Sequence, residues 1–306
     1  MRTICALWIT ASTFICVHLR IRTIIATWLT VVASLVAVPA QAWWGDGHGI
    51  LTEAAVLALP EDVPAFFRQG GDIPSHTAFD PDLFKNRRTP LLSHAEHGEH
   101  YFDIEYLGGR AIPAKRFDFI ALCFELQLDP PRVGMAPYAI AEWTERLAVA
   151  FAEHRQWPEN EAIQQKCLVY AGILAHYAQD ICQPLHTTLN FDGKKQADGT
   201  VIGKGIHEQV DSAVERLGFA PEDLAAEQDV AAFDSLMKAI TGQIKKSNWR
   251  VEEVYALWGH WEDENDARVR TLTLDLARTS VRFTASLYLT AWQQSAEIRL
   301  PRWLER

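Results

Sequence analysis

Two histidine–aspartate pairs in the second half of the chain constrain the fold more than any other feature. His176 and Asp180 are four positions apart, and His207 and Asp211 repeat this spacing. Side chains four positions apart project from one face of a helix. Because proline is poorly tolerated inside a helix, Pro184 requires the helix that carries the first pair to end just before it. The sequence therefore predicts two helices that each present an imidazole and a carboxylate on one face.

A fifth side chain of the same chemistry follows the first pair. His186 lies two residues after Pro184, where the chain turns and can return towards His176 and Asp180. Imidazole and carboxylate together form a ligand set that suits zinc. A single histidine on an apolar helix face is usually an ordinary core residue. Two pairs and a further histidine within one stretch favour a metal site instead, with more ligands than one ion needs.

The first 42 residues have the pattern of an export signal. A short basic segment at 20–22 precedes an apolar run at 24–38, and Ala40-Gln-Ala42 matches a cleavage site. We therefore expect residues 1–42 to be a signal peptide that is removed, and residues 43–306 to be a periplasmic or secreted domain. A membrane anchor is the alternative, which the short apolar run and its cleavage site disfavour.

The charge balance argues against one class of partner. The chain has a formal net charge of −10, and the charged side chains of residues 1–42 are all arginines, so the expected mature chain is still more acidic. A protein that binds duplex DNA would normally show a basic stripe. An acidic domain remains compatible with a nucleic acid that is held mainly by metal ions. No stretch after residue 42 is long and apolar enough to span a membrane.

The cysteines argue against a disulfide scaffold. Two of the five fall in the expected signal peptide, which leaves Cys123, Cys167 and Cys182. An odd number permits at most one disulfide and one free thiol. Cys182 follows Asp180 by two positions, which points its side chain away from the metal face, so we expect a buried core thiol there.

Apolar positions recur at helical spacing through most of the mature chain, whereas period-two alternation is almost absent. We predict helices over residues 47–59, 117–128, 138–153, 159–182, 205–217, 221–246, 251–261 and 264–297. Residues 72–107 and 190–205 lack a sustained period and are predicted as loops. With no internal repeat and no linker, the sequence predicts a single all-α, multi-helix domain.

The expected new amino terminus offers a further metal-binding group. Cleavage after residue 42 would make Trp43 the first residue, and a free α-amino group can chelate a metal together with its own carbonyl oxygen. His48 follows on the first predicted helix and could supply a nearby imidazole. A histidine near an amino terminus is more often an ordinary residue, so this pair alone does not establish a site.

The predicted loop over 72–107 contains more candidates, and spacing alone does not choose among them. Its aspartates and histidines of the required chemistry are Asp80, Asp82, His94, His97 and His100.

The candidate ligands occur in an order that is typical of one group of enzymes. The motifs are Trp43, Gly47-His48, Asp82 with Phe84 and Lys85, His100-Tyr101-Phe102-Asp103, His176 and Asp180 with Gln183-Pro184-Leu185-His186, and His207 with Asp211. They resemble the trinuclear-zinc superfamily that joins single-strand-specific fungal and plant nucleases to bacterial zinc-dependent phospholipase C. The resemblance covers most of the mature chain and implies an all-helical fold of that type.

The resemblance also implies three Zn²⁺ ions and selects Asp82 and His100 from the loop. The implied ligand sets are Asp82, His100, His176 and Asp180; Trp43, His48 and Asp180; and His186, His207 and Asp211. Asp180 would thus bridge two of the ions.

The implied activity is hydrolysis of a phosphate ester by a water that the zinc cluster activates. Asp82 would orient this water or take its proton, and Lys85 would stabilise charge on the phosphoryl oxygens. We expect a monomer without a stable protein partner. A non-catalytic protein in which zinc only staples helices is the alternative, but structural zinc sites are usually closed and rich in cysteine.

The sequence leaves two substrate classes open. The short spacing from Trp43 to His48 and the final Asp211 favour the nucleases, so the expected substrate is single-stranded nucleic acid. Lys85 stands where those nucleases carry an arginine, and residues 190–196 lack their Gly-Gly-Asn. These departures keep a phospholipid substrate, and hence a phospholipase C, open.

Two residues next to His100 are candidates for substrate contact. Tyr101 could stack on a base, and Asp103 could read its edge. In the alternative interpretation, Tyr101 packs in the protein and Asp103 orients His100.

Overall fold

A computed structural model describes Trp43 and residues 45–305; the expected signal peptide, residues 1–42, lies outside the described residues. The helices are α1 Gly45–Leu57, α2 Ala65–Arg68, α3 Asp72–Thr77, α4 Asp80–Phe84, α5 Pro90–Glu96, α6 Arg116–Glu125, α7 Pro130–Val133, α8 Ala136–Gln156, α9 Glu161–Asp180, α10 Ile206–Asp211, α11 Ala213–Arg216, α12 Pro221–Ala225, α13 Leu236–Trp249, α14 Val251–Ala256 and α15 Ala267–Gln294. Short 3₁₀ turns cover His97–His100, Ile104–Leu107 and Pro184–Thr187.

The all-α prediction is confirmed. Within the described residues, β structure is limited to one antiparallel hairpin, in which β1 (Lys194–Lys195) pairs with β2 (Val201–Ile202). The described residues belong to one compact unit. None of its helices combines the length and the apolar character needed to cross a bilayer.

Two of the predicted segments were wrong. Residues 72–107, predicted as a loop, contain α3, α4, α5 and two 3₁₀ turns. Each of these elements is too short to show an apolar period. Residues 221–246, predicted as one helix, contain α12 and the start of α13 with a non-helical stretch between them. Glu227 has a φ of +54° in this stretch, which is incompatible with a continuous right-handed helix.

Helix α9 lies at the centre of the core and carries the first histidine–aspartate pair. It begins where the Asn160 side chain accepts hydrogen bonds from two backbone amides of the first turn, at 3.0 and 3.3 Å. Every residue from 171 to 180 is buried, and the helix packs against α1, α3, α8 and α15. His176 and Asp180 therefore need polar partners inside the protein.

A glycine on α9 allows the end of α3 to approach this helix closely. A Cβ atom at Gly172 would lie 2.0 Å from Thr77 Oγ1 and 2.5 Å from the backbone oxygen of Pro74. One turn further along α9, His176 Nδ1 donates to the backbone oxygen of Ala78 at 2.7 Å. The close approach thus supplies the first histidine with a backbone acceptor.

Candidate metal centre

Eight of the predicted ligand side chains gather in three buried groups. The groups are His48, His176 and Asp180; Asp82, His100 and His176; and His186, His207 and Asp211. In each group, one ligand atom from each residue lies within 4.8 Å of the others. Folding therefore brings together side chains from α1, α4, α9, α10 and two 3₁₀ turns.

His176 belongs to two groups and is oriented by its backbone acceptor. Because its Nδ1 donates to Ala78, its Nε2 carries a lone pair. That Nε2 lies 2.9 Å from His100 Nδ1, 3.4 Å from Asp180 Oδ2 and 3.8 Å from Asp82 Oδ1. The imidazole is held with its free nitrogen towards the other candidate ligands.

The two carboxylate oxygens of Asp180 face the same two groups, one oxygen to each. Oδ1 lies 3.4 Å from His48 Nε2, and Oδ2 lies 3.1 Å from His100 Nδ1. His48 is oriented by Gln179, whose Oε1 accepts from His48 Nδ1 at 2.6 Å and whose Nε2 donates to Thr52 Oγ1 at 2.9 Å. The carboxylate is placed where a ligand shared by two ions would lie.

The third group adjoins the other two. His207 Nε2 lies 3.0 Å from His186 Nε2 and 3.4 Å from Asp211 Oδ2. His186 Nδ1 donates to the backbone oxygen of His100 at 2.9 Å, which fixes its tautomer and joins this group to the second. Burial raises the pKa of Asp211 well above its usual value. A positive charge in contact with this carboxyl would keep it ionised.

These groups fit a divalent cation. His48 Nε2, Asp82 Oδ2, Asp180 Oδ1 and Asp211 Oδ2 are buried without a hydrogen-bond partner. Buried lone pairs and carboxylate oxygens that converge without donors are costly unless a positive charge lies between them. Zinc binds donor sets that consist of imidazole and carboxylate and contain no thiolate.

For His176, His207, Asp82 and Asp180, the surroundings favour the protonation states that bind metal. Burial lowers the pKa of His176 and of His207 well below the usual value, which keeps both imidazoles neutral. Burial alone would raise the pKa values of Asp82 and Asp180. Both pKa values are nevertheless lowered, with contributions from the charge of Lys85 at Asp82 and from the His100 hydrogen bond at Asp180. Neutral histidine and ionised aspartate are the metal-binding forms.

Lys85 lies directly against a predicted ligand. Its Nζ is 2.5 Å from Asp82 Oδ1, and both side chains are largely buried. The charge of Lys85 also lowers the pKa of His186 and of His207, after the larger effect of burial. A cation therefore stands beside the second group and within electrostatic reach of the third.

Trp43 is placed next to the first group. Its side chain is fully buried, and its indole Nε1 donates to the backbone oxygen of Gln179 at 3.2 Å. Gln179 directly precedes Asp180 and also orients His48. Metal binding by the main chain of Trp43 stays a prediction, which its position supports.

Tyr101 and Asp103 are anchored to the α7 region. Tyr101 donates its hydroxyl to the backbone oxygen of Pro131 at 2.8 Å, and Asp103 N donates to the backbone oxygen of Val133 at 2.7 Å. Burial, with the charge of Glu105, raises the pKa of Asp103 to about 7. The substrate-contact roles of Tyr101 and Asp103 stay predictions.

Glu96 is a site residue that the sequence analysis missed. Its Oε1 lies 3.3 Å from His100 Nε2 and accepts the Tyr177 hydroxyl at 2.5 Å. Glu96 is therefore a carboxylate that faces His100 Nε2. The four-residue spacing from Glu96 to His100 was the available signal, but it fell in a segment that the sequence predicted as a loop.

Gln183 and Cys182 have different parts in this region. Gln183 Nε2 donates to Asp211 Oδ1 at 2.6 Å, and its Oε1 accepts from the backbone of Leu185, so it links the turn after α9 to the third group. Cys182 is a buried free thiol, as are Cys123 and Cys167. Burial raises the pKa of Cys182 to about 12, so it stays protonated and is not one of the grouped ligands.

Comparison with known proteins gave structural matches only. No protein-family profile and no curated protein sequence matches the chain. Among solved structures, the alpha toxin of Clostridium absonum matches with a TM-score of 0.42 and 15% identity over 83% of this chain and 65% of that one. The alpha-toxin of Clostridium perfringens, from an avian strain, matches with a TM-score of 0.42 and 13% identity over 84% of this chain and 66% of that one. The chain thus spans slightly less than two thirds of their length.

Proposed function

We propose that this protein is a zinc-dependent hydrolase of phosphodiester bonds. The proposal is carried by three adjoining His/Asp groups whose buried, converging atoms include four that lack a hydrogen-bond partner: His48 Nε2, Asp82 Oδ2, Asp180 Oδ1 and Asp211 Oδ2. Ligand sets without thiolate are typical of catalytic rather than purely structural zinc. Several cations around one cleft suit the displacement at phosphorus, in which negative charge develops on the attacking and the leaving oxygen.

The eight grouped side chains, with the main chain of Trp43, would hold three zinc ions. Bound zinc supplies positive charge that activates water as a nucleophile and stabilises negative charge on phosphate oxygens. His176, His48 and His186 contribute imidazole donors whose orientation is set by Ala78, Gln179 and the backbone of His100, respectively. The protein thereby fixes its donor atoms before any substrate binds.

Asp82 and Lys85 are the groups that we assign to the chemical step. The lowered pKa of Asp82 keeps its carboxylate ionised, and its Oδ2 has no hydrogen-bond partner. It can therefore orient the attacking water or accept its proton. Lys85 Nζ, held at Asp82 Oδ1, offers a point charge to the phosphoryl oxygens.

Single-stranded nucleic acid is the first candidate substrate. Phe191 is 47% exposed, and its ring centroid lies 5.8 Å from that of His207. An exposed aromatic ring beside a phosphate-binding site can stack on a base. Tyr101 and Asp103 would add contacts near His100.

A phospholipid is the second candidate substrate. Leu83, Leu91 and Leu92 are exposed on the segment that connects Asp82 to His100. Exposed aliphatic side chains suit a lipid surface and make no specific contact with a base.

Export with removal of residues 1–42, and action as a monomer, are further proposals that rest on the sequence pattern.

The experiment compares the purified protein with and without zinc on three substrates. The substrates are single-stranded DNA, lecithin vesicles and the soluble diester bis(p-nitrophenyl) phosphate, each with an EDTA control. We expect zinc-dependent hydrolysis of the soluble diester and of one polymer or lipid.

His176→Ala should lose zinc and activity together, because this imidazole belongs to two groups. Normal zinc content in that variant, or hydrolysis that resists EDTA, would contradict the proposal. Zinc binding without any hydrolysis would favour a purely structural role for the zinc.

A further inference from the structure

We propose that a surface segment next to the metal centre docks the protein onto an anionic lipid bilayer. The segment is residues 83–92, named here the leucine–arginine turn, and it follows directly after Asp82. A role for docking in catalysis rests on the proposed function, whereas lipid binding itself requires no catalytic activity.

Three leucines of this turn face solvent. Leu83 is 55% exposed, Leu91 is 89% exposed and Leu92 is 44% exposed. A single exposed leucine on a soluble protein needs no explanation. Three in one short segment form a local apolar surface of the kind that marks an interaction site.

The turn is compact, so these leucines stay close to one another. Ser93 Oγ donates to the backbone oxygen of Lys85 at 2.9 Å, and Thr89 N donates to the backbone oxygen of Asn86 at 2.9 Å. These bonds fold the start of α5 back against the end of α4, and the two helices are in contact. The result is a compact segment that exposes three leucines.

The same turn is basic in an otherwise acidic protein. Lys85, Arg87 and Arg88 lie in it, and no acidic residue occurs between residues 83 and 95, although the whole chain has a net charge of −10. Arg87 and Arg88 are exposed beside the leucines. Aliphatic side chains that enter the acyl region, with cations at the headgroup level, are the combination that binds anionic membranes.

Charge and side-chain chemistry favour a bilayer over the other possible occupants. A single-stranded nucleic acid would use stacking aromatic rings, and the exposed apolar side chains of this turn are leucines. A second copy that paired through the same turn would place Arg87 and Arg88 against the same cations, and like charges repel. Because Lys85 Nζ touches Asp82 Oδ1, docking by this turn would hold the metal centre at headgroup level.

The test is flotation of the purified protein that begins at Trp43 with phosphatidylcholine vesicles, with and without phosphatidylglycerol. We expect binding to vesicles that contain phosphatidylglycerol, and weaker binding at high salt because exposed charges are screened. Leu91→Asp/Leu92→Ser should reduce the bound fraction at least about tenfold in vesicles of either composition. Arg87→Ser/Arg88→Ser should remove the preference for phosphatidylglycerol. Phe117→Ser is the matched control, since Phe117 is 81% exposed on a different helix, and it should bind as the parent does.

The outcomes separate this proposal from the proposed function. Every variant should hydrolyse the soluble diester at the parent rate, because none of the changed residues is a ligand. Parent protein that fails to float, or a Leu91→Asp/Leu92→Ser variant that floats equally well, would overturn the docking surface. So would oligonucleotide binding that depends on Arg87 and Arg88 in the absence of vesicle binding, or a dimer that the leucine substitutions dissociate. Vesicle binding without soluble-diester hydrolysis would support docking and overturn only the proposed activity.

Discussion

At the residue scale, the ring nitrogen that faces away from the metal centre orients three of the histidines, His48, His176 and His186. His48 donates to Gln179, and His176 donates to Ala78, so the opposite nitrogen of each ring keeps a free lone pair. Sequence spacing predicted the histidines but not their acceptors. Ala78 acts through its backbone, which no residue pattern reveals. Gln179 lies on the predicted helix, but it was not considered because an amide is not a typical zinc ligand.

Glu96 gives the first prediction at this scale. Glu96→Gln should weaken zinc binding about 10- to 100-fold, because the carboxylate that faces His100 Nε2 is replaced by an amide. Tyr177→Phe removes the hydroxyl that Glu96 accepts and should weaken binding less. Competition with a chromogenic chelator measures both affinities. Glu61→Gln, an exposed change outside the metal centre, is the control. Equal affinities for parent and Glu96→Gln would show that Glu96 has no orienting role.

At the element scale, the packing of α3 against α9 positions His176, the residue that the first and second groups share. Apolar periodicity predicted α9 and its end before Pro184 because the helix is long and its pattern is sustained. It did not predict α3, α4 or α5, which carry Asp82 and flank it. Such short helices are stabilised by contacts with the rest of the protein rather than by their own pattern. The loop prediction therefore failed in the segment that supplies two of the proposed ligands.

Gly172→Ala tests this packing. Its Cβ would lie 2.0 Å from Thr77 Oγ1, so α3 must move away from α9, and we expect a loss of about 1–3 kcal/mol of stability. The shift should also disturb the acceptor of His176 and lower zinc content. Gly242→Ala is the matched control on α13, because its Cβ would meet no atom within 4 Å. It should be neutral or stabilise the helix by about 0.5–1 kcal/mol. Thermal unfolding of both variants measures the difference, and equal midpoints would refute the packing argument.

At the scale of the whole molecule, the third and first groups should release metal at different pH values. Burial raises the pKa of Asp211, so protons compete for this carboxylate at a higher pH than usual. Asp180 has a lowered pKa and stays ionised until the pH falls below its usual value of 3.8. The third group should therefore lose its ion before the first group does on acidification. Zinc content after dialysis against buffers of decreasing pH checks this order. Asp211→Asn should abolish the early step, and a single, simultaneous release of all zinc would contradict the prediction.

The amino end of the mature chain should complete the first group. Trp43 is held by its indole at Gln179, one residue from Asp180, so a free amino group on Trp43 would lie next to a group that otherwise has three side-chain ligands. A peptide nitrogen has no basic lone pair and is a poor ligand. We therefore expect a chain that begins at Trp43 to bind about one equivalent more zinc than a chain that retains Gln41 and Ala42. Atomic emission measures the zinc content, and amino-terminal sequencing verifies each start. His48→Ala in the trimmed chain should reproduce the loss. If the two starts have the same zinc content and the same rate on a soluble diester, the main chain of Trp43 is not a ligand.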